Sequence, residues 1–377
     1  MKKIARYIAL AVFIFAVCAV IYAPGDFSIA VYDSLLLSVK RLIPSLFLMM
    51  TLSSFANRSG IADPLLKIGS PFMKPYGLPD SAFYAFFWGC ISGFPIGAKT
   101  ACELYADSKI TKKEAQRLLT FCNNCSPAFL IGTLGMAYGV KAGIFLFIIQ
   151  ILSAMITGYI FCLRQNGYRK TDTTPASDGI VRSLTGAVTG SMHACLDLTA
   201  FLLFSSLFTV FVSRLPLNNT ASAFIMSLTE LTGGVMKFSG VSKINLSLMA
   251  FSVSFGGACV LLQTMNICEY HRISVKKYVV AKLVSGCASF ITAYIFYPAV
   301  FESRFNALPV IFVLCAVLSV NILRKLSENG NGEKNAYRGY GKKSFAYKRA
   351  DAKGRRVYHT AYDNDAAKPC GVRAYLL

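Results

Sequence analysis

The sequence predicts an all-α polytopic membrane protein, and three observations carry that prediction. The chain of 377 residues is 55% hydrophobic and only 15% charged, too little charge to cover a soluble domain of that size. Its apolar residues gather in runs of about 18 to 22, each long enough as a helix to cross a hydrocarbon layer of roughly 30 Å. Lysine and arginine concentrate at the N-terminus (Lys2, Lys3, Arg6), in a central loop (Arg164, Arg169, Lys170, Arg182) and after Arg324, where the positive-inside rule puts them. The alternating segments of about 10 residues that a membrane β-barrel requires are not visible.

The elements follow in order. Residues 1–28 hold a first transmembrane helix, centred on about 5–23. Its basic start also suits a signal peptide, but a long hydrophobic chain follows and no small-x-small cleavage site is convincing, so the helix is expected to be retained. Residues 29–162 form a first membrane repeat. It opens with a helix over about 29–57 that contains Pro44, with Lys40 and Arg41 marking its first half as interfacial or pocket-facing. After a connection rich in Pro and Gly, Ser81–Ser92 is apolar but about 12 residues long. That is too short to span, and it ends at Gly93-Phe-Pro95, the pattern of a re-entrant or broken helix. A helix resumes through Ala98–Ala106. Another starts at Thr111-Lys-Lys-Glu114, a capping-box pattern, and breaks at Asn123-Asn-Cys-Ser-Pro127. A short apolar piece and a Gly135–Gly143 connection lead to a clear span over about 142–162.

The polar segment 163–182 is read as a cytoplasmic loop. Residues 183–323 form a second membrane repeat, with helices at about 183–213, 219–232, 245–268 and 275–299 and a last span at about 308–323. Residues 324–377 carry many Lys and Arg and few aliphatics, the composition of a disordered cytoplasmic tail. Phe94–Ala98 has a counterpart in Phe255–Ala258, and Leu46–Phe55 matches Leu203–Phe211 in pattern. Duplication with broken helices points to a transporter whose solute binds where the repeats meet.

Several function classes are disfavoured. The net charge of +21 lies on no recognisable nucleic-acid fold, so it is assigned to topology and to attraction of anionic lipid by the tail; nucleic acid is not an expected partner. The 12 cysteines are scattered, mostly in apolar runs, where they act as small hydrophobes. Cys122-Asn-Asn-Cys125 lacks the second pair or histidines of a zinc site. No nucleophile–base pairing, HExxH or P-loop lysine pattern is present. Neither an enzyme, a cofactor nor a metal is expected.

The candidate solute-binding residues are the polar and flexible ones at membrane depth. Gly93, Pro95 and Gly97 would form a hairpin tip that leaves main-chain N–H groups free, with Lys99 in the first turn of the second arm; tight packing with Lys99 snorkelling is the plainer alternative. Asn123, Asn124 and Ser126 offer donors and acceptors without a buried charge, or merely cap a helix. Glu230, between Thr229 and Thr232, is a carboxylate at membrane depth and so a functional candidate for a proton, a cation or a solute donor. Gly256 and Gly257 would form the second tip, followed by Gln263 and Thr264. Glu103, Asp107, Lys109, Lys112, Lys113 and Arg117 read as a wet face and caps. Asp197 is a weaker candidate, and His193 reads as an interior histidine.

SGFPIGAKT, the I-T-x-x-E-A-x-R-L-L helix and CNNCSPAFLIGTLG together resemble the YlbJ-type sporulation integral membrane family, whose members carry the nucleoside-recognition, or Gate, domain. Phe255–Gln263 is similar too, and the likeness covers about 30–325. It departs at Cys125-Ser126, where Ser-Gly is expected. The resemblance implies a fold akin to concentrative nucleoside transporters and a place in a membrane around the forespore. It further implies dipicolinate, an anionic pyridine dicarboxylate, as the small-molecule substrate. A nucleoside-type solute and a non-transporting scaffold for spore envelope assembly are the alternatives. The coupling proton or cation and a homo-oligomeric state are left open.

Overall fold

The computed structural model describes residues 2–162, 179–302, 347–350 and 356–359. The chain falls into two units, Met1–Val320 and Asn321–Leu377. In the first, every described element is helical. Helix α1 (Lys2–Tyr22) meets α2 (Pro24–Leu37) at Ala23, with a bend of 101° between Ala16–Tyr22 and Pro24–Lys40. Pro24 starts α2 because its missing N–H costs nothing at the first helical position. A π-helical turn, Ser38–Leu42, joins α2 to α3 (Ile43–Ser59). The expected single helix over about 29–57 therefore begins earlier and is under-wound near Lys40, which is exposed.

After α4 (Pro64–Met73) come α5 (Ala82–Ile91) and α6 (Ile96–Ala106). At about 1.5 Å per residue each covers only about half of a hydrocarbon layer, and the two pack together as a hairpin turning at 92–95. Helix α7 (Lys112–Cys122) starts at the capping box, with Thr111 Oγ1 accepting from Glu114 N at 3.3 Å and Glu114 Oε2 accepting from Thr111 N at 2.6 Å. The chain is non-helical over 123–126. It resumes at Pro127 as a π-helical segment, Ala128–Leu134, and α8 (Gly135–Tyr138). Gly139 alone interrupts the helix before α9 (Val140–Cys162), so the connection expected over Gly135–Gly143 is mostly helical.

The second half holds α10 (Ile180–Ser213), α11 (Asn219–Thr229), α12 (Leu231–Val235), α13 (Lys243–Phe255), α14 (Gly257–Tyr270) and α15 (Lys276–Tyr297), which ends in a π-helical turn, Pro298–Glu302. Glu230 divides the expected 219–232 helix, and Gly256 divides the expected 245–268 helix. Val140–Cys162, Ile180–Ser213, Lys243–Tyr270 and Lys276–Glu302 are each long and apolar enough to span a membrane, and the bent α1–α2 pair makes a fifth candidate.

Helices α9 and α15 pack on each other and each on α7 and α13, while α2 and α3 lie on α10. One core cluster joins Tyr76, Leu118, Phe121 and Tyr278; a second joins Phe145, Ile149, Met249 and Val253. Many large apolar side chains face outward, among them Phe204, Phe208, Ile291 and Ile295, as expected of a lipid-facing surface. Residues 163–178 of the polar loop and the span at about 308–323 lie outside the described residues, as does most of the tail; the end of the expected loop, 180–182, is the first turn of α10. Within the tail, β1 (Tyr347–Ala350) and β2 (Arg356–His359) pair antiparallel.

Candidate functional site

Two interrupted segments from each half approach one another. In the first half, the turn between α5 and α6 sits against the break after α7. Gly93 has φ +85°, and a Cβ there would lie 2.8 Å from Ser126 N. Only glycine adopts that backbone freely and also allows that approach. The break is held from behind by Gln150 on α9: Cys125 N donates to its Oε1 at 3.2 Å, and its Nε2 donates to Cys125 O at 3.1 Å. One amide side chain thus satisfies both main-chain groups that the missing helical turn leaves open.

In the second half, the break at Glu230 sits against the start of α14. A Cβ on Gly257 would lie 2.9 Å from Ser227 O and 3.4 Å from Leu231 N. Glu230 turns its carboxylate onto the short helix that follows. Thr232 N donates to Oε1 at 2.7 Å and Gly233 N to Oε2 at 2.6 Å. The side chain is only 7% exposed and has no cation partner among the described residues.

Between these pieces lies a cavity of about 360 Å³, inside the range of roughly 300–1,000 Å³ usual for small-molecule sites. Ser92, Gly93, Phe94, Cys125 and Ser126 line it from the first half, with Ala128, Phe129 and Thr133 of the π-helical segment. From the second half come Glu230, Leu231 and Thr232, then Cys259, Val260 and Gln263 of α14. Leu37, Leu46, Leu198 and Leu202 close an apolar side. The wall thus offers hydroxyls, an amide and one carboxylate among mostly apolar side chains, the composition that orients a small polar solute. Ser92 Oγ is buried without a partner.

Of the expected site residues, Gly93, Ser126, Glu230, Thr232 and Gln263 line this cavity. The others lie elsewhere. Pro95 is buried at the start of α6. Gly97 is a packing position, since a Cβ there would come within 2.0 Å of Cys122 O. Lys99 pairs with Glu103 at 2.9 Å, one turn along α6. Asn124 Nδ2 donates to Phe121 O at 2.9 Å, which caps α7. Thr229 Oγ1 donates to Met226 O at 2.8 Å within its own helix. Gly256, with φ +92°, faces the tip of the Phe94 ring.

Asn123 and Thr264 meet in a buried network. Asn123 Nδ2 donates to Thr264 Oγ1 at 3.0 Å and to Tyr278 OH at 3.1 Å. Lys282 Nζ donates to Asn123 O at 3.0 Å. The break of the first half is thereby tied to α14 and α15 of the second. Lys282 was not among the expected residues, although it is a lysine in the middle of the 275–299 run, and an ionisable side chain at membrane depth is itself a signal. Gln150, an amide in the middle of the 142–162 span, gives a weaker signal of the same kind, and Tyr278 gives none.

The remaining polar candidates divide. Lys112 and Lys113 are exposed, but Glu114 and Arg117 are buried, and Arg117 donates to Gly77 O at 3.3 Å. Lys109 Nζ donates to Asn57 O at 2.8 Å. His193 is exposed on α10, not interior, and Asp197 on the same helix is exposed and accepts from Asn266 Nδ2 at 3.1 Å. Among the described residues no cluster of His, Cys, Asp or Glu could hold a metal ion, and the described cysteines are free thiols.

Apolar helices of spanning length around a partly polar interior define a multi-pass α-helical membrane protein. Among curated proteins, the chain is similar to Sporulation integral membrane protein YlbJ of Bacillus subtilis (strain 168), with 24% identity over 333 residues. The match covers 76% of this chain and 81% of that protein. It supports the YlbJ-type resemblance carried by the Gly93–Gly132 stretch. No family model matches the chain, and no solved structure matches it.

Proposed function

We propose that the chain is a membrane transporter for a small polar solute, bound between the Gly93–Ser126 segments and the Glu230–Gln263 segments. The cavity that both halves line is the observation that carries this reading. Transporters bind at broken helices because main-chain groups freed by a break can face a solute that lipid would reject. The order of elements fits a repeated plan. Hairpin α5–α6, interrupted α7 and span α9 are followed by α11–α12, interrupted α13–α14 and span α15. In this register the break at Asn123–Pro127 corresponds to Gly256-Gly257, and the tip at Gly93 corresponds to Glu230. That is shifted from the motif match of Phe94–Ala98 with Phe255–Ala258.

Likeness to a sporulation protein favours a role in endospore formation, with dipicolinate as the leading solute. Glu230 is the cavity group that can take up a proton or a cation. A dianion enters beside a carboxylate more readily when that carboxylate is protonated, so Glu230 links solute entry to a proton. A ligand-stability screen of the purified protein tests the binding half of this reading. Pyridine-2,6-dicarboxylate or a nucleoside should raise the melting temperature of wild type, and Gln263→Ala should weaken that shift. A protein whose melting temperature responds to neither class, across millimolar concentrations, would favour the scaffold alternative.

A further inference from the structure

We propose that Lys282 is the anion-recognition group of this cavity, covered here by the Phe94 ring, and that the solute it selects carries negative charge. The inference rests on the transporter reading and deepens it. Lys282 lies on α15 and is 2% exposed. Its ammonium donates to Asn123 O at 3.0 Å and lies 4.9 Å from the centre of the Phe94 ring. Among the described residues no carboxylate is paired with it. An ammonium has three N–H donors, and one carbonyl and one ring face leave it under-satisfied. Beside it, Asn123 Oδ1 is also buried without a partner. A charge kept at membrane depth, where leucine or methionine would fill the space more cheaply, marks a functional position.

Phe94 connects this charge to the cavity. It is at once the cation–π neighbour of Lys282 and part of the cavity wall. It belongs to the turn between α5 and α6, not to a helix, and follows Gly93 at positive φ. Its ring tip reaches Gly256, where a Cβ would come within 3.2 Å of Phe94 Cζ. One side chain therefore separates the ammonium from the solute space, and moving that ring would exchange a π face for an anion. The cavity is then bipolar, with the Glu230 carboxyl on one wall and a shielded cation behind the other. The plainer role for Lys282 is to cap the carbonyl end of α7, where a cation is favourable.

The test compares two solutes of one shape in proteoliposomes holding the full chain: pyridine-2,6-dicarboxylate and uncharged pyridine-2,6-dimethanol. Wild type should prefer the dianion. Lys282→Met should lose at least tenfold of that preference while still moving the diol, and Lys282→Arg should keep it. In wild type, Lys282 should react slowly with a water-soluble acylating reagent. Phe94→Ala should raise that labelling several-fold, and the dianion should suppress it. Unchanged discrimination in Lys282→Met, or unchanged labelling in Phe94→Ala, overturns the assignment. If Lys282→Met does not fold, the arginine variant and the labelling decide. If wild type moves neither of these solutes nor a nucleoside, the transporter reading falls as well; if it moves a nucleoside alone, or if all variants move both test solutes equally, only the Lys282 assignment falls.

Discussion

Gly97 and Glu230 show how the same kind of sequence signal leads to different structural outcomes. The glycine's place in the motif suggests main chain freed for a solute, yet its space is filled by the Cys122 carbonyl. Gly97→Ala should therefore act on stability, lowering it by about 1–3 kcal/mol through overpacking. Gly132→Ala, where no atom lies within 4 Å of the added carbon, serves as the control. Thermal melting in detergent checks both, and equal melting temperatures would contradict the packing role. Glu230 was legible because a carboxylate in an apolar run is costly at that depth. Lys282 obeys the same rule, but the glycine motifs point to other segments than α15. Lys99 was legible as a charge, but only coordinates reveal that Glu103 neutralises it.

At the level of elements, local chemistry decided most of what could be read. The capping box at Thr111 is formed as expected. Thr111→Ala should cost about 1 kcal/mol of stability, read as a lower melting temperature with unchanged solute binding; lost binding at normal abundance would show that α7 does more than position its break. The short α5, the break at 123–127 and the start of α11 at 219 are all visible as interrupted apolar periods. The tip at Gly256-Gly257 is legible from its glycine pair, but the run over about 245–268 still reads as one helix, because its two arms together have spanning length. The π-helical turns were equally hidden: Ser38–Leu42 and Ala128–Leu134 differ from α-helix by main-chain winding, which composition does not encode.

Across the whole molecule, the two halves are joined by a few buried polar contacts. Asn123 reaches Thr264 and Tyr278, and Lys282 returns to Asn123 O. Asn123→Ala leaves both hydroxyls with one partner fewer. It should destabilise by about 1–2 kcal/mol, the scale of interhelical hydrogen bonds in membranes, and reduce solute binding in proportion to the folded fraction. Full binding loss with normal melting would instead make Asn123 a direct ligand. Which half faces which was not readable from the sequence. Composition set the class and the motifs set the breaks, but the meeting of Phe94 with Lys282 and Gly256 depends on how α14 and α15 pack against a turn about 160 to 190 residues earlier.

The most direct measurement is solute flux through the purified full chain in sealed proteoliposomes. Wild type should accumulate labelled pyridine-2,6-dicarboxylate saturably, faster with an inward proton gradient. Glu230→Gln should remove the gradient's effect and lower flux tenfold or more at normal abundance, with at most a modest fall in melting temperature, because its amide keeps only one of the two acceptors for Thr232 N and Gly233 N. Flux no greater than in empty liposomes for dicarboxylates and nucleosides alike, or Glu230→Gln behaving as wild type, would contradict a solute path between the two interrupted halves.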